Sequence, residues 1–264
     1  MSIFISIASY RDTIISNTIE SLFTNANNPT RLFVGVLLQI SNNKDEDIAN
    51  TLKKKYNKNM KILTIDYNKA EGPLTARQEI IKRLYSNEDF YLQIDSHTRF
   101  YPDWDVKLLD NLFMLPNVDR SIISCYPISY DTYQKETLVP QMVKEVEYFK
   151  NKNIKLYKGF LFKSALVPIE TPFLGAGFLF GTSEILKFYP MKRFPYLFQG
   201  EEMLLCLTFK KQGFKIYSPT ENLIAHLYYR KNHPKIWEDN GEWNKKELIA
   251  LGMLEHHLRL NSLI

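Results

Sequence analysis

The sequence predicts an α/β fold: a mostly parallel sheet flanked by helices, with a more mixed second half. Two observations carry this. In the first hundred residues, four strand-like runs (3–8, 32–40, 60–67 and 90–95) alternate with segments of helical periodicity. Strands that read as continuous apolar runs between helices imply a largely parallel sheet covered on both faces. The 264-residue chain is 45% hydrophobic, enough for a full core within one domain.

The elements follow in order. Residues 3–8 read as a buried strand. Asp12 then caps a helix whose apolar side is Ile15, Ile19, Leu22 and Phe23. Residues 32–40 are a nearly all-apolar strand, 45–56 a polar, Lys-rich surface helix and 60–67 a third strand. Thr75-Ala76-Arg77-Gln78 has the form of a capping box, followed on one face by Ile80, Ile81 and Leu84. Residues 90–95 are a fourth strand. Beyond it, 103–115 is helical with Trp104, Leu108, Leu112 and Phe113 inward, and 121–128 is a strand. Residues 130–169 mix short strands with loops. Residues 201–212 form a helix that buries Leu204, Leu205 and Leu207 and ends at Gly213. Short strands at 214–217 and 223–227 precede a C-terminal helix at 244–260. No repeat, low-complexity tract or linker interrupts the chain.

Composition excludes several functions. The net charge of +5 is scattered apart from Lys53-Lys54-Lys55, so no nucleic-acid-binding stripe is present. The two cysteines, Cys125 and Cys206, sit in apolar contexts and do not suggest a disulfide framework. Residues 3–8 are too short for a signal-peptide core and lack a basic flank. No apolar run reaches membrane-spanning length. These features predict a soluble, cytoplasmic protein.

Chemistry concentrates in a few segments. "YLQIDSHTRF" ends a strand in Asp95-Ser96-His97. Ligands of an open parallel sheet lie beyond the carboxyl ends of its strands. In extended geometry, residues two apart face one side, so Asp95 and His97 would share one cation. Such an O/N pair suits Mn²⁺, Mg²⁺ or Zn²⁺. His226, in the apolar stretch "NLIAHLYYR", is either a hydrogen-bonded core histidine or a third ligand. In "SIASYRD", Ala8, Ser9, Tyr10 and Arg11 follow the first strand, where a nucleotide base would lie or an ordinary loop would run. "EGPLTARQ" brings Arg77 to a helix N-terminus, a setting that favours phosphate and equally suits an exposed arginine on a capped helix. Gly175-Ala176-Gly177 allows a ligand close to the backbone, or simply a tight turn. Glu201 and Glu202 open a helix as catalytic or sugar-binding carboxylates, or as complements to the helix dipole.

The order of these segments resembles glycosyltransferases of the GT-A type, Rossmann-like fold that carry D-x-H in place of D-x-D. It looks most like the cytoplasmic-type polypeptide α-N-acetylglucosaminyltransferases that modify hydroxyproline, through "IFISIASYRD" and "DSHTRF". More remotely it is similar to the polypeptide GalNAc transferases. Their W-G-G-E-N parallels Phe198-Gln199-Gly200-Glu201-Glu202, and their G-H-V-F-R parallels Ala225 to Arg230 with one extra residue. The resemblance covers most of residues 1–230 and is loose over 130–169. It implies Asp95, His97 and His226 as Mn²⁺ ligands, with Mg²⁺ the alternative. It implies Glu201 at the transferred sugar, and Arg77 near the diphosphate or bracing the metal loop. Ala8 to Arg11, Ser96 and Gly175 to Gly177 would line the donor site. Glu202 departs from the remote family's Asn.

The implied reaction moves a sugar, GlcNAc favoured, from a UDP-sugar to a hydroxyl of a protein or glycan, with retention of configuration. Residues 1–264 then form one domain: a nucleotide-binding half (1–100), a sugar and acceptor half (101–230) and a helical extension (231–264). Trp237, Trp243 and Tyr228-Tyr229 offer faces for sugar stacking or ordinary packing. Leu248, Leu251, Leu254 and Leu258 offer a homodimer contact or ordinary packing. His256-His257 diverge on a helix and read as surface. A non-catalytic nucleotide-sugar or glycan binding module and a nucleotidyltransferase are the competing readings. No lectin domain, anchor or stem is legible.

Overall fold

In a computed structural model, which describes residues 1–41, 43–133, 141–148, 153–161, 165–231 and 233–264, the chain is built on an eight-stranded mixed sheet. The first half alternates as expected: β1 (Ile3–Tyr10), α1 (Ile15–Thr24), β2 (Leu32–Ile40), α2 (Asn43–Lys55), β3 (Met60–Asp66), α3 (Pro73–Leu84) and β4 (Phe90–Asp95). β1 pairs in parallel with β2 and β4, and β2 with β3. Ile3, Ile5 and Ile7 enter one core with Ile15, Ile19 and Leu22 of α1, whereas Phe4 enters a second with Leu74, Ala76 and Ile80 of α3. Burial on both faces removes any need for polar alternation, which is why β1 reads as a continuous run.

The second half adds β5 (Thr98–Phe100), α4 (Trp104–Phe113), β6 (Ser121–Ser124), β7 (Ile128–Ser129), β8 (Gln141–Tyr148), β9 (Lys155–Leu161), β10 (Ile169–Glu170) and β11 (Phe178–Thr182). It closes with α5 (Glu201–Lys211), β12 (Lys215–Ser218), β13 (Ile224–His226), α6 (Ile236–Asp239) and α7 (Trp243–Leu260). The sheet order is β10-β12-β6-β11-β4-β1-β2-β3, with β11 antiparallel to both neighbours. β5, β13 and β7 form a small second sheet, and β8 pairs with β9.

Several local expectations are corrected. The strand expected over 121–128 divides, because Pro127 cannot donate to a ladder; β7 pairs with β13 instead. Phe113, expected inward, is 47% exposed at the end of α4, and Leu207 is only half-buried. Thr75 lies inside α3, whose first residue is Pro73 and whose cap is Gly72, so no capping box forms. Asp12 accepts from Ile14 N (3.0 Å), ahead of α1, while the residue capping the helix makes no side-chain cap bond. Of the interval 130–169, residues 134–140, 149–152 and 162–164 lie outside the described residues. Among the described residues, no helix is long and apolar enough to cross a membrane.

α7 packs inward. Leu251, Leu254 and Leu258 are fully buried in the second core, so three of the four leucines offered for a dimer contact are occupied within the chain; Leu248 is 50% exposed. Gly200, at φ 96°, precedes α5, and a Cβ there would stand 2.8 Å from Leu254 Cδ2. Helix α7 thus clamps the start of α5. Leu254→Ala is expected to lower unfolding free energy by about 2–5 kcal/mol, whereas Leu248→Ala stays within about 0.5 kcal/mol. Urea denaturation of both variants checks this.

Candidate active site

β4 carries Asp95 to the carboxyl edge of the sheet. Parallel register sets Ala8 of β1 beside it. On the other side β11 pairs Phe178 with Ile94, which brings Gly177 against the carboxylate. A Cβ on Gly177 would lie 2.7 Å from Asp95 Oδ2, so only glycine fits that position without displacement. Ala8 and Gly177 therefore leave Asp95 room that larger residues would take.

Past Asp95 the chain turns instead of continuing extended. Thr98 Oγ1 donates to Asp95 O (2.9 Å), closing the turn that carries Ser96 and His97. The expected extended geometry for Asp95 and His97 is thus replaced by a turn into β5. β13 pairs antiparallel to β5, with His226 opposite Thr98, and Leu227 N donates to His97 O (3.1 Å). This brings Asp95, His97 and His226 together, with one ligand atom from each lying within 4.8 Å of the others. The two imidazole centroids are 4.6 Å apart.

The residues fit a divalent ion. One carboxylate oxygen and two imidazoles form the mixed donor set such ions take. Nδ1 of His226 is buried and has no hydrogen-bond partner among the described residues. His226 Nε2 lies 3.1 Å from Asp95 Oδ2.

Arg77 is the cation beneath this group. Expected at an open helix N-terminus, it is instead the fifth residue of α3, and its side chain is 3% exposed. Nη2 donates to Asp95 Oδ1 (2.7 Å), and Nη1 donates to both Glu201 oxygens (2.6 Å each). Burial opposes the Arg77 charge, but Glu201 and Asp95 raise its pKa above the ordinary value. Burial pushes the Asp95 carboxyl up, yet the His226 hydrogen bond and the Arg77 charge hold it well below the usual range. For Glu201 burial prevails over Arg77, and its pKa is raised.

Glu202 faces a different environment. Tyr126 Oη donates to Oε2 (2.5 Å) and Ala176 N donates to Oε1 (2.9 Å). Burial pushes its pKa up to about 7 despite both bonds. Tyr126 has no local signal in the sequence beyond its place just after β6, at a strand end.

These groups line a cleft of about 450 Å³. Ala8, Tyr10, Ser96, Ala176 and Gly177 face it, as do Asp95, His97, His226, Arg77 and both glutamates. Ser9, Arg11 and Gly175 are not on its wall. Ser9 is buried on the opposite side of β1, following strand alternation. Arg11, at φ 45°, turns away to Asp239 (2.6 Å) and the Tyr67 ring. Tyr10 Oη donates to the same Asp239 (2.8 Å). Gly175 receives Ser124 Oγ at its carbonyl and shapes the turn behind the wall.

Of the four aromatics read as a platform, Trp237 and Tyr228 line the cleft; Trp243 is buried beside Tyr196 and Tyr229 stands exposed off its wall. His256 is exposed and His257 packs edge-on to Phe194. Asp12, read as a helix cap, also accepts from His97 Nδ1 (2.8 Å), from Ser96 Oγ (2.8 Å) and from Arg230 Nη1 (3.4 Å). Burial opposes ionisation of Asp12, but His97 and Ser96 draw its pKa to about 2. Burial lowers the pKa of His97, against the pull of Asp12.

A family model described as Glycosyltransferase (GlcNAc) matches residues 2–56 and 41–262. No curated protein matches the sequence. Among solved structures, GalNAc-T7 with UDP, GalNAc and Mn²⁺ is similar at TM-score 0.68 and 13% identity, over 96% of this chain and 48% of that one. TarS of S. aureus with UDP-GlcNAc is similar at 0.56 and 16%, over 88% and 60%. A mannosyltransferase from Pyrobaculum calidifontis with GDP-Man and Mn²⁺ is similar at 0.56 and 10%, over 88% and 58%. These likenesses establish the GT-A fold; the chain spans about half to three fifths of the length of these neighbours.

Arg77→Met leaves two carboxylates without their cation and is expected to cost about 3–5 kcal/mol in urea denaturation. For Glu202, the unfolded chain releases its proton near the ordinary 4.5 while the folded protein keeps it to about 7. Its contribution to stability therefore falls as pH rises through that window and is constant above it. Glu202→Gln should accordingly gain stability relative to the parent between pH 5 and pH 8, read from urea midpoints at both values.

Proposed function

Because the chain belongs to the GlcNAc glycosyltransferase family, we propose that it transfers a sugar, GlcNAc favoured, from a UDP-sugar to a hydroxyl group, with a divalent metal ion, Mn²⁺ or Mg²⁺, as cofactor. The observation that carries this reading is the convergence of Asp95, His97 and His226 on the floor of the cleft at the carboxyl edge of the sheet. A UDP-linked donor and Mn²⁺ draw further support from the molecules bound in the similar structures. The acceptor is proposed as a hydroxyl of a protein or glycan.

In this reading Asp95, His97 and His226 hold the cation. When bound, it would supply Lewis-acid neutralisation of the charge that develops on the diphosphate leaving group. Tyr10 and Ala8 line the side of the cleft taken by the nucleotide. Arg77 fixes the Asp95 carboxylate, so its part is to orient a ligand from below. Glu201, fixed by the same guanidinium, and Glu202, fixed by Tyr126 and Ala176 N, face the sugar hydroxyls.

Transfer forms a bond between the acceptor oxygen and the anomeric carbon and breaks the bond from that carbon to the phosphate oxygen. The acceptor proton leaves with the diphosphate. Asp95, Glu201 and Glu202 are the carboxylates on the cleft wall among the described residues, and each is engaged by protein groups. That arrangement favours same-face attack with retention over attack by an enzymic carboxylate.

UDP release from UDP-GlcNAc should require Mn²⁺ and stop with EDTA. Asp95→Asn and His226→Ala should each lower that rate about 10²-fold or more, equivalent to roughly 3 kcal/mol. Circular dichroism should show the fold retained. Full activity in either variant refutes the ligand assignment.

A further inference from the structure

We propose that Asp12 is a positioning residue that holds His97 in its Nδ1-protonated tautomer and so presents Nε2 to the cation site. The proposal rests on Asp95, His97 and His226 being the ligand set, and extends it to a residue outside the cleft wall.

The geometry is specific. The Asp12 side chain is fully buried. Its Oδ2 lies 2.8 Å from His97 Nδ1. An ionised carboxylate only accepts hydrogen bonds, so the proton between the two belongs to Nδ1. A neutral imidazole protonated there carries its lone pair on Nε2, the atom left for a metal. Ser96 Oγ is the second group near Nδ1, at 3.3 Å, and it donates to Asp12 Oδ2 at 2.8 Å. Its hydrogen is thereby directed to the carboxylate and not to the ring. Carboxylate partners of metal-binding histidines act in this way, fixing the tautomer and the ring plane.

The turn itself is held by the same part of the chain. Thr18 Oγ1, from α1, donates to Ser96 O (2.7 Å) and accepts from Thr98 N (3.1 Å). Asp12 stands three residues before α1, and its Oδ1 accepts from Ile14 N. The loop and helix after β1 therefore grip the His97 turn at its backbone and at its ring. A packing role alone would not require a buried carboxylate with this many donors aimed at it.

Asp12→Asn tests the tautomer directly. Ile14 N–H retains the amide oxygen, so the amide nitrogen faces the ring and donates to Nδ1. The ring proton then moves to Nε2, which no longer binds metal. Long-range proton–nitrogen NMR on histidine-labelled protein at pH 8 reads the tautomer, and with five histidines in the chain each signal is assignable by single substitution. His97 is expected as Nδ1–H in the parent and Nε2–H in Asp12→Asn. Free-Mn²⁺ electron paramagnetic resonance should show the variant binding Mn²⁺ about 10–100-fold more weakly. A parent His97 protonated at Nε2 overturns the proposal, even if the variant does not fold. So does unchanged Mn²⁺ affinity in folded Asp12→Asn when Asp95→Asn abolishes binding. Unchanged Mn²⁺ affinity in Asp95→Asn removes the ligand set itself, and the role of Asp12 in metal binding with it.

Discussion

The candidate site depends on how the two oxygens of Asp95 are divided. Oδ1 accepts from Arg77 and Oδ2 lies against His226 Nε2. The Asp95 side chain is 31% exposed, and positive charge and hydrogen bonds favour its ionised form. Arg77 supplies both, and its planar fork reaches Glu201 at the same time. Two carboxylates thus share one guanidinium on the cleft floor. A carboxylate oxygen beside two imidazoles is a donor set of the kind divalent cations take. The same fork explains why Arg77 is not free to meet a phosphate on its own.

Rigidity of this floor comes from the sheet. Asp95 ends a central strand flanked by β1 and β11, both of which enter the two cores. Ala8 and Gly177 are small where those neighbours pass the carboxylate. Gln93, two residues earlier on β4, donates to Ala176 O and accepts from the Tyr189 hydroxyl. The Gly175 to Gly177 turn is therefore tied to the strand that carries Asp95, and its Ala176 N–H holds Glu202. Glu202 and Asp95 thus share one scaffold, so the distance between them is set by strand register instead of loop conformation.

What the sequence made legible follows from the range of the forces involved. β2 and β4 are found over their full lengths because a parallel strand buried on both faces needs apolar residues throughout. Local chemistry misled where one residue has two partners. Asp12 before a helix is a sound cap signal, and it does bind Ile14 N; the bond that matters for the site reaches His97, 85 positions away, and leaves no local trace. Tyr126 and Glu202 are 76 positions apart and equally silent. Thr75 mimicked a cap because Gly72-Pro73 starts α3 one turn earlier. His226 could not be distinguished from a core histidine by pattern; only resemblance to a family brought it to Asp95, and its neighbour across the small sheet is Thr98, a pairing that periodicity cannot supply.

The floor and the wall of the cleft are held by different interactions. Lys235, Ile236 and Trp237 form part of that wall. Their segment is fastened to the end of β1 by Tyr10 and Arg11 on Asp239, with Arg230 at 3.4 Å from Asp12. The Arg11–Asp239 pair is about a quarter exposed, and partly exposed ion pairs contribute only about 0–1 kcal/mol each. The floor instead combines the Arg77 pairs, 3–4% exposed on Arg77 and Glu201, with strands buried on both faces, where one lost partner costs about 3–5 kcal/mol. The wall adds apolar anchorage to its pairs: Ile236 is 8% exposed and clusters with Ala70 and Trp243, against which Tyr10 and Tyr196 pack. Its attachment residues, Tyr10, Arg11 and Asp12, are consecutive, which makes the end of β1 the junction between the wall and the turn that carries His97.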